Sequence, residues 1–343
     1  MSQLPETMRA SVLLAAEELE IQDRAVPVPD ADQVLVRIEA VGVCGSDVHF
    51  YHEGKLGDWI VEEPLVLGHE SAGVIVAVGA DVDPARVGER VSIEPQRPDP
   101  TSRESLSGNY NLDPHMEFYA VPGVDGAFAQ YATIQSHFAH TVPDHVSLEA
   151  AALLEPLSVA IATARKAGFT VGSRVLITGA GPIGIITAQV AKAYGASEII
   201  VTDVDARRRE QAERFGATKT IDPIAEPVGT LGLDVDSFID ASGAAAAVRS
   251  GFGEVRPGGT VVLVGMGASE IPLPVTTIQN NELIVTGIFR YNNTWPTAIE
   301  LVASGKVDLD ALVTGRFDLD HVADALNSTR NPDTLKSVVT PNA

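Results

Sequence analysis

At 343 residues the chain exceeds what one hydrophobic core usually supports, and about one domain per 150 residues predicts two domains. Hydrophobic residues make up 45% of the chain and charged residues 20%, which is typical of a globular protein and argues against disorder. The 24 basic and 46 acidic residues give a formal net charge of −22, which repels phosphate backbones and anionic lipid headgroups. Neither nucleic acid nor a membrane is therefore expected as a partner.

The cysteine count and the N-terminus bear on the compartment. Cys44 is the only cysteine, which excludes an intramolecular disulfide and favours a reducing environment. The early apolar stretch at residues 11–16 is too short for a signal-peptide core and runs into two glutamates. No segment approaches the ~18 to 20 apolar residues that a spanning helix needs. The sequence predicts a cytoplasmic protein.

The pattern of predicted elements changes near residue 156. Before it, short β segments such as 33–43, 73–78 and 90–93 are broken by turns, and the polar stretch 94–122 predicts an excursion loop that forms a lobe. After it, predicted strands at 174–178, 198–203, 237–240, 260–264 and 283–289 alternate with helical or Ala-rich segments at 182–194, 207–215 and 244–255. This alternation predicts an α/β domain with a parallel sheet. The tail contains helical runs at 295–303 and 321–326.

A glycine-rich turn joins the first strand of this region to its helix. It reads Gly179-Ala180-Gly181-Pro182-Ile183-Gly184, which is a G-x-G-x-x-G pattern in the strand–turn–helix context that a dinucleotide fingerprint requires. The glycines allow a tight turn, backbone approach to the pyrophosphate and close helix packing, and the helix N-terminus attracts the phosphate charge. The alternative, an ordinary glycine-rich turn, does not explain this context.

Asp203 lies 19 residues beyond Gly184, at the end of the next predicted strand. A carboxylate there binds both ribose hydroxyls of NAD and repels the 2′-phosphate of NADP, so NAD is the expected cofactor. Arg207, Arg208 and Arg209 follow and offset part of that repulsion. For Arg207 and Arg209 a solvated helix face is the stronger alternative, whereas Arg208 is a candidate cofactor contact.

Zinc-ligand residue types occur in the first region. Cys44 is followed about 25 residues later by His69 and Glu70. A catalytic zinc takes three protein ligands and keeps one position open, so this set needs no second cysteine. On residue types alone the signal is weak, because a lone cysteine is usually a small buried hydrophobe.

Four motifs in order make the chain resemble the zinc-dependent medium-chain alcohol dehydrogenases, in particular the sorbitol and xylitol (polyol) dehydrogenases. They are C-G-S-D-x-H from Cys44, P-x-V-L-G-H-E-x-x-G around His69, L-x-E-P-L-S-V around Glu155, and G-A-G-P-I-G from Gly179. The run 287–296 and Tyr110-Asn111-Leu112 in the lobe extend the resemblance over nearly the whole chain.

The resemblance implies roles for particular residues. Cys44, His69 and Glu70 would hold one catalytic zinc, with Glu155 at the metal or bonded to its water. Ser46 and His49 would pass the substrate proton to solvent, although turn bonding and a surface histidine are the alternatives. The nicotinamide would be lined by Val264, Gly265, Met266, Ile288, Phe289 and Arg290, and the substrate would be contacted by Phe50, Tyr51, Glu155, Arg290 and Tyr291. For Arg290 a surface ion pair is the alternative.

Two departures from the family pattern affect these expectations. The four cysteines that hold a structural zinc in many relatives align with Asp99, Ser102, Ser105 and Asp113, which make a poor tetrahedral zinc site. One zinc per chain and no structural zinc are therefore expected. Phe50 stands where the family often has tyrosine, and Tyr51 would point elsewhere if this segment were extended.

The implied fold is a GroES-like β-barrel catalytic domain at residues 1–156 and 291–343, with a Rossmann domain at 157–290. The implied reaction is oxidation of a polyol to a ketose with NAD, by a homotetramer or else a dimer. Alternatives are a 2,3-butanediol-type or threonine-type zinc dehydrogenase, a non-catalytic NAD-binding protein, and a zinc-free quinone reductase.

Overall fold

The computed structural model describes residues 4–343, so the first three residues of the predicted catalytic domain lie outside the described part. The strands, in chain order, are β1 Thr7–Ala15, β2 Glu18–Ala25, β3 Gln33–Gly42, β4 Lys55–Leu56, β5 Trp59–Ile60, β6 Leu65–Val66, β7 Glu70–Val78, β8 Arg90–Ile93, β9 Gln96–Arg97, β10 Glu117–Phe118, β11 Tyr131–Gln135, β12 Ala139–Thr141, β13 Arg174–Thr178, β14 Glu198–Thr202, β15 Lys219–Ile221, β16 Val235–Asp240, β17 Val255–Leu263, β18 Ile284–Gly287, β19 Val313–Asp318 and β20 Lys336–Thr340.

The helices are short, and several irregular segments contain single 3₁₀ turns. The α-helices are α1 Gly45–Glu53, α2 Arg103–Leu106, α3 Leu148–Ala152, α4 Leu154–Ala167, α5 Pro182–Ala193, α6 Ala206–Arg214, α7 Ala245–Gly251, α8 Val275–Asn280, α9 Trp295–Ala303 and α10 Val322–Ser328. Among the described residues no helix is both long enough and apolar enough to cross a membrane.

The chain forms two compact units. One comprises Met1–Glu155 with Leu309–Ala343, and the other is Pro156–Asp308. The return of the chain differs from the predicted point, because residues 291–308 belong to the second unit. Arg165 donates hydrogen bonds to the backbone oxygens of Asn292 and Asn293, and the backbone N–H of Asp308 bonds the side chain of Gln189. These bonds anchor both ends of the segment to α4 and α5.

The first unit is built around β3. Its main sheet has the order β12-β8-β7-β3-β20-β19, with β11 also paired to β3. The sequence of β3, QVLVRIEAVG, is buried almost throughout, because a strand with neighbours on both edges and covered faces reads as an apolar run. Its C-terminal end leads straight to Cys44, so this buried strand fixes the position of the candidate metal ligand.

The second unit is a parallel sheet of order β15-β14-β13-β16-β17-β18. The central strands β13 and β14 are apolar and buried, as expected for strands covered by helices on both faces. Five predicted strands are confirmed here, and the last, predicted at 283–289, is shorter at Ile284–Gly287. The carboxyl ends of β13 and β14 carry the predicted cofactor residues.

Candidate metal centre and cofactor site

Three predicted ligands meet in the first unit. Cys44 is the N-cap residue of α1, His69 ends the loop before β7, and Glu70 is the first residue of β7. One candidate ligand atom from each lies within 4.8 Å of the others, and this is the only such group found in residues 4–343. His69 and Glu70 are 6% and 1% exposed. Pairing of β3 with β7 brings together residues that are 25 positions apart.

Asp47 ties the two ligand-bearing segments together. Its carboxylate is fully buried and accepts hydrogen bonds from the backbone N–H groups of Cys44 and Gly68, both at 3.0 Å. Its Oδ1 also lies 3.5 Å from Nδ1 of His69. Gly68 has φ +88°, and a Cβ there would stand 2.9 Å from both Phe128 and Val41, so the turn before His69 requires glycine.

The buried charges shift the pKa values of this pair in opposite directions. Burial would raise the pKa of Asp47, but the charge of His69 and the backbone N–H groups outweigh it and hold that pKa below its usual value. Burial would lower the pKa of His69, but the charges of Asp47 and Cys44 raise it well above its usual value. The site therefore attracts positive charge, which a proton or a metal cation supplies.

Lys336 is a further cation at this site, which the sequence did not reveal. It is 3% exposed, and its Nζ donates hydrogen bonds to Glu70 Oε1 at 2.6 Å and to the Val43 carbonyl at 2.7 Å. Burial would lower the pKa of Lys336, but the charges of Glu70, Cys44 and Glu155 raise it. The lysine thus remains an ammonium among acidic groups.

The donor set fits a zinc ion. Thiolate, imidazole and carboxylate are all zinc ligands, and the three candidate donor atoms lie within 4.8 Å of one another. Nζ of Lys336 lies 2.6 Å from both oxygens of Glu70, but only Oε1 accepts a well-formed hydrogen bond. Oε2 is buried without a hydrogen-bond partner, which is the kind of atom that a bound cation satisfies.

Glu155 stands apart from the three-residue group. It lies in the first turn of α4, is 5% exposed, and interacts electrostatically with Lys336. Its carboxylate oxygens are not among the ligand atoms that lie within 4.8 Å of one another. The arrangement favours a role next to the metal position over membership of the core ligand set.

The segment after Cys44 is helical, so the condition under which Tyr51 would point away from the site, an extended backbone, is not met. Asp47 bonds the N–H of Cys44, which starts α1 there and places residues 45–53 in the helix. Phe50 and Tyr51 are 2% and 7% exposed within the hydrophobic core of the unit, which favours packing over substrate contact. Phe118, which the sequence did not single out, stacks on His69 with ring centres 5.5 Å apart.

The predicted proton path lies on the same helix. Ser46 is half-buried in the first turn, and His49 follows one turn later with its side chain 45% exposed. Nδ1 of His49 lies 2.9 Å from Glu53 Oε1. His49 is therefore in contact with solvent, as the end of a proton path must be.

Hydrogen bonds connect Asp99, Ser102, Ser105 and Asp113, the four lobe positions for which the resemblance implied a lost structural zinc. The carboxylate of Asp113 accepts bonds from the backbone N–H groups of Asp99 and His115, at 2.6 and 3.2 Å. Ser102 caps α2 and donates to Ser105 Oγ at 3.0 Å. These bonds hold the turns at these positions of the lobe.

The glycine-rich turn of the second unit has the geometry of a phosphate site. Gly179 has φ +93°, and Gly181 is the N-cap residue of α5, followed by Pro182 and Ile183. A Cβ on Gly184 would lie 1.9 Å from the carbonyl oxygen of Gly179, so helix and turn meet only because no side chain intervenes. The Nη1 atom of Arg208 lies 3.7 Å from where a Cβ of Gly181 would stand.

Asp203 is held at the carboxyl end of β14. Its two oxygens accept bonds from the backbone N–H groups of Ala180 and Asp205, at 2.8 and 2.9 Å. Arg207 pairs with Asp205, while Arg209 donates to the Asp203 carbonyl and pairs with Asp222. Arg207 and Arg209 thus have local partners, and Arg208 is the arginine placed beside the phosphate turn.

The remaining predicted cofactor residues lie after β17 and β18. Val264 and Gly265 both donate backbone hydrogen bonds to the carbonyl of Asp240, and a Cβ on Gly265 would lie 2.1 Å from the backbone nitrogen of Gly243. Met266 is 55% and Phe289 47% exposed. Ile288 donates its backbone N–H to the Leu263 carbonyl. These segments meet at the carboxyl edge of the sheet.

Arg290 and Tyr291 differ in accessibility. Arg290 has φ +58°, a strained conformation for a residue with a side chain and one that is frequent at functional sites. Its guanidinium carbon lies 4.7 Å from the ring centre of Phe289. Tyr291 is 1% exposed and packs edge-on against Trp295, with ring centres 5.2 Å apart. This burial favours a packing role for Tyr291 over substrate contact.

Comparison with known proteins identifies the family. Residues 30–144 match the alcohol dehydrogenase GroES-like domain, and residues 182–304 match the zinc-binding dehydrogenase domain. The chain is 42% identical to sorbitol dehydrogenase of Bacillus subtilis (strain 168) over 99% of both proteins. It is 38% identical to D-xylulose reductase of Saccharomyces cerevisiae over 94% of both proteins.

Two solved structures show the same fold. An alcohol dehydrogenase of Escherichia coli CFT073 complexed with NADH gives a TM-score of 0.92 at 29% identity, covering 98% of this chain and 100% of that one. A zinc-binding dehydrogenase of Sinorhizobium meliloti 1021 bound to NADP gives 0.90 at 30% identity, with the same coverage. The chain belongs to the zinc-dependent medium-chain alcohol dehydrogenases, in the group of the sorbitol and related polyol dehydrogenases. The predicted GroES-like and Rossmann architecture is confirmed.

The raised pKa of His69 predicts that zinc binding displaces a proton from this imidazole at mildly alkaline pH. A pKa above the usual value of about 6.5 leaves His69 protonated where an ordinary histidine is neutral, so a zinc ion bound by this ring must displace that proton. Apparent zinc affinity therefore falls by about tenfold per pH unit for each proton displaced, as pH decreases. Calorimetry at pH 8 in buffers of different ionisation enthalpy counts the protons. Asp47→Asn, which removes a charge that raises this pKa, should release fewer protons than wild type, and equal proton counts for the two proteins would contradict the assignment.

Asp203→Ala should shift cofactor preference from NAD toward NADP. Losing a charged acceptor for the ribose hydroxyls costs about 1.5–3 kcal/mol, so the ratio of NAD to NADP efficiency should fall by at least about tenfold. Steady-state kinetics with both cofactors measures it. The matched control is Asp205→Ala, which removes the α6 cap and about 1 kcal/mol of stability but should leave the ratio unchanged. Equal ratios for wild type and Asp203→Ala would show that Asp203 does not select the cofactor.

Proposed function

We propose that this chain oxidises a secondary hydroxyl of a sorbitol-like or xylitol-like polyol to the ketone of the corresponding ketose, with transfer of hydride to NAD. The observation that carries the proposal is the grouping of half-buried Cys44 with buried His69 and Glu70 in a member of the polyol dehydrogenase group. The reaction converts the polyol and NAD⁺ into ketose, NADH and one proton. The site must therefore bind the alcohol, accept its proton and leave the carbon-bound hydrogen free to depart as hydride.

The residues divide this work. We propose that Cys44, His69 and Glu70 hold one zinc, and that Glu155 accepts a hydrogen bond from the molecule at its open position. When bound, zinc lowers the pKa of the substrate hydroxyl as a Lewis acid, and NAD accepts the hydride. Asp47 keeps His69 oriented through its buried carboxylate.

Different residues are needed to carry the proton away and to bind the hydroxyls of the polyol. We propose that Ser46 accepts the hydroxyl proton directly or through the cofactor ribose, and that His49 delivers it to solvent because its side chain is 45% exposed. Arg290 supplies several N–H donors, which suits a row of vicinal hydroxyls. The preference for NAD rests on Asp203, fixed by two backbone bonds where the ribose of a dinucleotide binds in this fold.

Metal content and turnover together test the proposal. Purified, dialysed wild-type protein should contain about one zinc per chain and reduce NAD with polyols, at higher efficiency than with 2,3-butanediol or threonine. Cys44→Ser should lose both metal and turnover. His49→Gln should keep the zinc and lose about tenfold in kcat, below the ~10²-fold effect of a group that touches the reacting atom.

The outcomes separate the alternatives. Two zincs would place a second metal in the lobe. If the protein contains zinc but turns over 2,3-butanediol or threonine more efficiently than polyols, the zinc site is supported and the polyol substrate is not. No zinc and no turnover would favour a non-catalytic NAD-binding protein.

We propose that the chain is a homo-oligomer, a tetramer or else a dimer. Strand β18 is the edge of the parallel sheet, and its Ile284 is an aliphatic side chain that is 59% exposed. An edge strand with apolar exposure is a template for pairing with a second chain. A cytoplasmic location, supported by the single cysteine, is part of the same proposal and is testable by fractionation of the producing cells.

Sedimentation equilibrium tests the oligomer. Wild type should sediment as a dimer or tetramer, and Ile284→Lys should shift the distribution toward smaller species, because a charge on the edge opposes strand pairing. Val171→Lys is the matched control, since Val171 is 84% exposed in the same unit but lies outside the strands. A monomeric wild type would refute the proposed oligomer. Equal shifts of Ile284→Lys and Val171→Lys toward smaller species would show that β18 is not part of the interface.

A further inference from the structure

The carboxylate of Glu70 is confined on two sides by residues outside the metal-ligand set. The Nζ of Lys336 lies 2.6 Å from it, and the same ammonium donates to the Val43 carbonyl at 2.7 Å. Both side chains are almost fully buried, at 3% and 1% exposure. A buried ammonium held by two hydrogen bonds has little freedom, so it fixes the group it contacts.

Gly42 forms the second side. Strand pairing places Gly42 directly opposite Glu70, and a Cβ at Gly42 would lie 2.1 Å from Glu70 Oε2 and 2.9 Å from a methyl of Leu153. The carboxylate therefore occupies the space that a side chain at position 42 would take. Gly42 lies outside the positive-φ region, so its absent Cβ, and not its backbone, is what matters here.

The sheet positions both residues. Strand β3 ends at Gly42, directly before Val43, and the neighbouring strands β7 and β20 begin with Glu70 and Lys336. Ser337, next to Lys336, accepts the backbone N–H of Val43 at 2.9 Å. Any shift of β20 along β3 would separate the ammonium of Lys336 from Glu70. The placement of Glu70 as a ligand therefore depends on the register of these strands.

We propose that Lys336 and Gly42 form a seat that holds Glu70 in its metal-binding orientation, which makes Lys336 a positioning residue. The inference rests on the proposed zinc site and adds how that site is kept in shape. Without the ammonium the carboxylate rotates away from Cys44 and His69, and zinc binding weakens. If Lys336 acted only through its charge, its removal would have the opposite effect on zinc affinity. Removal of a positive charge beside a cation site strengthens cation binding.

A double-mutant cycle separates these two signs. Zinc affinity is measured by competition with a chromophoric chelator in wild type, Lys336→Met, Glu70→Gln and the double variant. Cobalt spectra of each report the coordination geometry without turnover. The seat predicts about 10- to 100-fold weaker zinc for Lys336→Met and little further loss in the Glu70→Gln background. Unchanged or tighter zinc in Lys336→Met, or equal effects of Lys336→Met in both backgrounds, would overturn it.

Matched variants keep the test decisive if Lys336→Met fails to fold. Gly42→Ala leaves Lys336 intact and should weaken zinc by pushing on Oε2, whereas Gly45→Ala, whose Cβ meets nothing within 4 Å, should not. Lys336→Arg should bind zinc more tightly than Lys336→Met, and Lys55→Met, at an exposed lysine, should match wild type. Equal affinity of Gly42→Ala and Gly45→Ala would refute the seat. A wild type without zinc would refute the proposed function itself.

Discussion

Pairing of β3 with β7 on one side and β20 on the other decides where the buried charges of the first unit lie. The three strands bring Glu70 and Lys336, which are 266 positions apart, together beside Cys44. The charged groups of Glu70 and Lys336 are expensive to bury alone, and each is tolerated because the other is present. The same register sets Gly42 opposite Glu70, so sheet geometry and site chemistry are inseparable.

Asp47 adds the second layer of constraint. Its carboxylate joins the start of α1 to the turn before His69 and lies beside the imidazole. A metal-binding histidine with a carboxylate behind it is oriented before the metal arrives, which lowers the cost of assembling the centre.

In the second unit, close approach of backbone segments shapes the candidate cofactor site. Because Gly184 and Gly265 have no side chains, turns approach each other closely at the carboxyl edge of the sheet. The carboxylate of Asp203 is held there by the backbone N–H of Ala180.

The parts of the molecule that sequence predicts well are local. The glycine fingerprint, its flanking strand and helix, and Asp203 all lie within one strand–helix–strand unit, so spacing alone carries the argument. The ligand trio came from family resemblance, because residue types 25 positions apart do not specify strand pairing. The sequence did not indicate that Lys336 belongs to the candidate metal site, because a single lysine at the start of an apolar strand is common at strand ends.

Two features of the chain path were not foreseen, and both have physical causes. The sequence left open whether the segment after Cys44 is extended, yet the three-residue spacing from Cys44 to Asp47 is that of a helix N-terminus, and Asp47 does bond the Cys44 N–H. The chain returns to the first unit at Leu309 and not at residue 291, because backbone oxygens near 292 are bonded to Arg165. Long-range hydrogen bonds of that kind leave no periodic trace in sequence.

X-ray absorption at the zinc edge shows whether Cys44, His69 and Glu70 hold the metal. A zinc ion held by these residues should have one sulfur neighbour at about 2.3 Å and two or three nitrogen or oxygen neighbours at about 2.0–2.2 Å in the zinc-loaded protein. The sulfur should vanish in Cys44→Ser reloaded with metal. A wild-type shell of light atoms alone would mean that Cys44 is not a ligand and would contradict the metal centre described for this fold.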